Sequence, residues 1–135
     1  MMFISAIPQK YLSILYQGRH SVHPITGDDD ISILRKYQYL QAESVVIDGD
    51  NKVEVGKWIG IFQAFGWKAS IISSDTWMDY FGVYPDEPDM MHSHWMNVVK
   101  MRYPMMSVRD DNYEAILAAC YLHDKHKAET DAVFA

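Results

Sequence analysis

Carboxylates are the residues in this chain whose types and spacing could do chemistry. Asp48 ends a short β-branched run, Ser44–Ile47, where a strand would hold its side chain at the rim of a sheet. Asp111 and Glu114 stand three apart at the head of an apolar, Ala-rich stretch, so a helix opening at Asp111 would carry both on one face. Acids on rigid elements suit Mg²⁺. The ion is hard and takes oxygen ligands, and two such ions about 4 Å apart clamp an in-line phosphoryl displacement. Taken singly, the same residues have plainer uses: Asp48-Gly49-Asp50 is a turn signal, and Asp111 serves as a helix cap.

The six histidines fall into pairs, His20 and His23, His92 and His94, His123 and His126. Zinc draws on His together with Cys or carboxylate, so each pair is a candidate. A His-x-His pair converges from a strand, but His92 and His94 flank the start of a helix. His123 and His126 belong to a polar last helical turn, where the helix dipole favours His⁺. Surface or capping roles are therefore the expectation. The sequence holds no motif for a nucleophilic serine and no glycine loop for phosphate.

Strands and helices must position these groups. Met2–Ile7, Tyr11–Tyr16 and His20–Ile25 read as short hairpin strands punctuated by Pro8, Gly18 and Pro24. Asp28-Asp29-Asp30 reads as the capped, acidic start of a helix with Ile33, Leu34, Tyr37 and Leu40 at helical spacing. A strand at Ser44–Ile47, a helix from Val53 to Phe65 stopped by Gly66, and a strand at Ala69–Ile72 form a βαβ unit, which implies parallel strands. Gly56 and Gly60 would let that helix pack closely on a sheet. Asp75 caps a short helix with Trp77, and a loop bearing Pro and acids follows at Val83–Asp89. Helices at Ser93–Tyr103 and Asp111–Lys127 complete the pattern. One domain over residues 1–128 with a frayed tail at 129–135 accounts for the chain, and its class is α/β, a mixed sheet covered by helices.

At 135 residues, nearly half apolar, the chain can bury a single core. There is no apolar run of membrane-spanning length, and the opening MMFISAIPQKYLSIL, broken by Pro8 and Lys10, does not read as a signal peptide. Cys120 is the only cysteine, which excludes an internal disulfide and fits a reducing compartment; the cytoplasm is the expected location. A net charge of −6, with 12 basic against 18 acidic residues, does not advertise a nucleic-acid surface. The methionines between Met90 and Met106 fill a core in the simplest reading, although Met also adapts to a partner surface.

From about His20 to His126 the chain resembles the compact RuvC-type resolvases of phages and other mobile elements. The residues that carry the likeness are Val45-Val46-Ile47-Asp48, the glycine-bearing helix at Gly56-Lys57-Trp58-Ile59-Gly60, and Ser73-Ser74-Asp75-Thr76-Trp77. Met101-Arg102-Tyr103-Pro104 and the stretch from Asp110 to Ala119 complete the set. The resemblance implies an RNase H-like fold with the first strand beside Ser44–Ile47, a homodimer, and Mg²⁺ held by Asp48, Asp110, Asp111 and Glu114. Asp48, Asp111 and Glu114 would be catalytic in an active nuclease for branched DNA, with Asp110 or Asp50 substituting for a lost acid. Two departures stand out. Ile7 occupies the place of the family's metal-bridging Asp, and Asp86-Glu87-Pro88-Asp89 replaces a Lys-rich loop, which would repel a DNA backbone. The expectation is a degenerate RuvC-like protein that binds rather than cuts, a mobile-element inhibitor or accessory factor whose partner is protein in preference to DNA.

Overall fold

The computed structural model describes residues 1–82 and 88–134, so Asp86 and Glu87 of the acidic loop expected at Asp86–Asp89 lie outside the described residues. Three strands open the chain: β1 (Met2–Ile7), β2 (Tyr11–Tyr16) and β3 (Arg19–Pro24). They form an antiparallel meander in which Met2 faces Tyr16 and Ile7 faces Tyr11. Both connections are tight turns. Pro8, Gln9 and Lys10 link β1 to β2, with Lys10 N–H donating to Ile7 O at 2.9 Å and Gln9 held at φ 66°. Gln17 and Gly18 link β2 to β3, and both have positive φ, as two-residue hairpin loops require.

A short helix, α1 (Asp30–Arg35), follows, then β4 (Ala42–Ile47), α2 (Lys52–Ala64) and β5 (Lys68–Ile72). β4 runs parallel to both β1 and β5, giving one five-stranded mixed sheet of order β3-β2-β1-β4-β5. The expected βαβ unit and the expected neighbouring of the first strand with Ser44–Ile47 are both present. The remaining elements are α3 (Ser74–Phe81), a 3-10 turn at Pro88–Met90, α4 (Met91–Arg102) and α5 (Tyr113–Phe134). No helix among the described residues is long and apolar enough to cross a membrane.

Strand alternation splits the core in two. Phe3, Ile7, Leu15, Val45 and Ile47 point to the side covered by α3, α4 and the Ala-rich stretch of α5. Met2, Ile4, Leu12, Ile14 and Val46 point to the other, where Leu34 of α1 and Val55, Trp58 and Phe62 of α2 meet them. β1, at the centre of the sheet, is buried along its whole length. Such a strand is apolar on both faces, and that makes its one polar residue informative: Ser5 donates its hydroxyl proton to Ala115 O at 2.5 Å and ties α5 to the sheet.

Local chemistry departs from expectation at several ends. Asp30 is buried and turns back, accepting from Thr26 N–H and Gly27 N–H at 3.1 and 2.9 Å, while Asp29 at the N-cap makes no capping bond. After Arg35 the chain continues in i→i+3 bonds through Leu40, so Tyr37 and Leu40 pack from turns and not from a helix. Ser73, not Asp75, occupies the N-cap of α3. Asn51 caps α2 by accepting from Glu54 N–H at 3.2 Å, and Gly66, at φ 80°, ends the turn after it. Gly56 and Gly60 do not serve close packing: both face outward, and a Cβ at either would meet no atom within 4 Å.

Candidate functional site

The carboxyl ends of β1 and β4 lie side by side, and residues just beyond them form the floor of a rim cavity of about 380 Å³. Ile7, Asp48, Asp50, Ser74 and Glu114 line it together, with Gln9 and Lys10 from the first turn. Two of the sequence-predicted acids, Asp48 and Glu114, are thus brought to one place although 66 positions separate them. The register explains the meeting. Parallel β1 and β4 end at the same edge, Asp48 N–H is fixed there by Ile72 O at 2.8 Å, and α5 begins above it, tied down by Ser5.

Each of the two acids already has internal donors. Lys52 Nζ donates to Asp48 Oδ1 at 2.5 Å across the turn that starts α2, and both side chains are largely exposed. Glu114 Oε2 accepts from Trp77 Nε1 at 3.0 Å and from Ser74 Oγ. Trp77 is fully buried and packs edge-on against Trp95 and Tyr113, so the Glu114 carboxylate is anchored to the core while remaining at the cavity wall.

Asp111 is placed differently from the expectation. The helix opens at Tyr113, so Asp111 sits in the preceding turn and does not share a helical face with Glu114. Asn112 precedes the helix instead, and its side chain accepts from Arg109 N–H at 2.8 Å. The Asp111 carboxylate receives Arg109 through Nε and Nη2, both at 3.1 Å, and Tyr11 Oη at 3.1 Å. Partial desolvation works to raise its pKa, but the bonds from Arg109 and Tyr11 outweigh that and hold it below the usual carboxylate value. Neither Asp111 nor the exposed Asp110 lines the cavity with Asp48 and Glu114.

The histidines have local partners. His20 bonds to Ser13, His23 to Ser21, and His92 to Tyr113 Oη at 2.8 Å. His94 lies against Trp95, His123 bonds to Asp124 at 3.0 Å, and His126 faces Glu43 at 3.6 Å. Burial, aided by Arg102, pushes the His20 pKa down to about 4, so that ring is neutral at pH 7. Among the described residues no group of three or more His, Cys, Asp or Glu is arranged to hold a metal ion.

Sequence reasoning missed the donors. Lys52 stands four residues after Asp48, a spacing that carried a signal. Trp77 was legible only as part of a short helix and Ser74 only as part of the segment leading to it, because their partner is 37 and 40 positions away and no local pattern encodes it. No family model matches the chain, and no curated protein matches it.

Proposed function

We propose that this α/β domain is a degenerate RuvC-like protein of RNase H-like fold that acts by binding and not by cleaving. The observation that carries the reading is Ile7. It lines the same cavity as Asp48 and Glu114, at the end of the strand where the resemblance calls for a metal-bridging Asp. An isoleucine has no lone pair to give a cation, and a two-ion site without its bridging carboxylate cannot hold both ions at the separation that in-line attack requires. The donors on Asp48 and Glu114, and the removal of Asp111 to Arg109 and Tyr11, support the same reading. A protein partner is favoured over DNA because the charge of −6 opposes phosphate binding. An inhibitor or accessory role in a mobile element, a cytoplasmic location and a homodimer belong to this proposal through the resemblance alone.

One observation favours an alternative, a Mg²⁺-dependent endonuclease for branched DNA. Asp50 lines the cavity beside Asp48 and Glu114 and could stand in for the missing acid. Incubation of the protein with four-way, three-way and flap DNA in Mg²⁺ or Mn²⁺ decides between the two. The expected result is no cleavage. Metal-dependent cutting that vanishes in both Asp48→Asn and Glu114→Gln would establish the nuclease and overturn the binding reading.

A further inference from the structure

The end of the sheet opposite Asp48 is built differently. The register sets Met2 against Tyr16, so the Gln17-Gly18 turn lies about 17 Å from the rim, the length of one six-residue strand. Tyr103, just after α4, stands between two hollows at this end. One, of about 420 Å³, is lined by Arg19, Arg102, Pro104, Met105 and Met106, with His20 beneath; no acidic residue among the described residues lines it. The other, of about 480 Å³, has Phe3 and Leu15 at its floor and Lys127 and Asp131 at its edge. Volumes of this size admit one or two large side chains.

Two features demand an explanation. Met105 is 97% exposed, and Met101 nearby in sequence is 84% exposed, so these methionines do not fill the core. And cations gather beside them in a chain whose net charge is −6. Arg102 spends one nitrogen on Asp124 at 2.6 Å and lies over the Phe81 ring, but Arg19 on the opposite wall is exposed and has no ion pair among the described residues. Unbranched, polarizable methionines mould themselves to an inserted side chain, and guanidinium groups at the rim select carboxylates around it.

We propose that this end of the sheet is a docking site for an acidic peptide segment of a partner protein, with one bulky apolar side chain seated between Tyr103 and Met105 and its flanking carboxylates on Arg19 and Arg102. It deepens the binding reading above and rests on it. A nucleic acid would use the cations but would leave the Met and Pro surface without a function, so protein is the occupant the chemistry fits.

The test is a titration of the full chain into a fluorescein-labelled ten-residue peptide of Asp and Glu around a central Phe-Leu pair, followed by anisotropy. Saturable binding with Kd below about 100 µM at about 50 mM salt is expected. Arg19→Glu should weaken it about tenfold and Met105→Ala about threefold, while Lys57→Glu, on the exposed side of α2, should leave it unchanged. Both test positions are exposed, and circular dichroism checks that the variants fold. No saturation, equal affinity in all variants, or a labelled oligothymidylate bound more tightly than the peptide would each overturn the proposal. The titration does not depend on Asp48 or Glu114. A failed titration without DNA cleavage removes the docking site alone, whereas metal-dependent cleavage removes the binding reading itself.

Discussion

β1 and β2 contribute to both ends of the sheet, yet the ends differ in charge and in how their polar groups are held. At the rim where β1 and β4 finish, acids collect: Asp48, Asp50 and Glu114, one of them wired by Trp77 to the largest buried side chains of the domain. At the opposite end Arg19 and Arg102 lie beside methionines and a tyrosine, and the neighbouring polar groups Tyr103, Cys120 and His20 pack close to Arg102. Burial pushes the Tyr103 hydroxyl and the Cys120 thiol up, away from ionisation, and pushes His20 down. One end therefore has a carboxylate, Glu114, anchored by the core, while the other has neutral groups inside beside the half-buried Arg102–Asp124 pair and an exposed Arg19.

The strongest way to break the comparison is at Trp77. Its indole fills the space between Trp95 and Tyr113 and donates to Glu114, so Trp77→Ala opens a cavity and removes one of the two donors to that carboxylate at once. A loss of about 3–5 kcal/mol in denaturant-unfolding free energy is expected. Met105→Ala at the other end should stay within about 0.5 kcal/mol, because that side chain touches mainly solvent. If the two substitutions cost the same, the distinction between a core-anchored rim and a surface-built basic end is lost.

The pH dependence sharpens the same contrast. His20 ionises near 6.5 in an unfolded chain but only near 4 in the fold, where burial and Arg102 both disfavour the cation. Its depressed value means that the unfolded state takes up the proton first. Stability from this group is therefore full above pH 6.5, falls as the pH drops, and is lost below about 4, a change of about 3 kcal/mol. Urea midpoints measured at pH 7 and pH 4.5 should fall more steeply for the wild type than for His20→Gln. Equal slopes would mean that the basic end does not bury a neutral imidazole.

How much of this was legible beforehand follows from the range of each interaction. The short strands of residues 1–25 punctuated by Pro8, Gly18 and Pro24, the βαβ unit and the Gly66 stop are local patterns, and they survive in the structure. Asp48 could be placed at a sheet rim because a strand end fixes it without outside help. Capping bonds fared worse, since Asp28, Asp29, Asp30, Asp75 and Asp111 all offered capping chemistry and, although Asp29 does hold the N-cap of α1, none of them shows a capping hydrogen bond. Asp30 was diverted by its burial, Asp75 lost the position to Ser73, and Asp111 was drawn away by Arg109 and Tyr11. The outward-facing Gly56 and Gly60 show the other limit: small residues at helical spacing do not say which side of the helix they occupy. The basic end was invisible because Arg19 and Arg102 are 83 positions apart and meet only after the sheet has formed.

The smallest expected effects concern the ion pairs, and they separate the two ends most finely. Lys52–Asp48 is short, at 2.5 Å, but its partners are 69% and 42% exposed. Water screens both charges in the separated and the paired arrangements, and holding a lysine in one rotamer costs entropy. A double-mutant cycle with Lys52→Gln and Asp48→Asn should return a coupling of about 0.2–0.5 kcal/mol. Arg102–Asp124, at 2.6 Å, has partners only 35% and 16% exposed, and the guanidinium also lies over Phe81, so less of its attraction is screened. The matching cycle with Arg102→Gln and Asp124→Asn should give about 1 kcal/mol, and raising the salt should shrink the first coupling by a larger fraction than the second. A Lys52–Asp48 coupling equal to or above that of Arg102–Asp124 would contradict the exposure argument. It would make Lys52 a structural counter-ion of the rim and strengthen the case that Asp48 is closed to a metal cation. A coupling near zero leaves Lys52 easily displaced, and then Ile7 alone must account for an absence of cleavage.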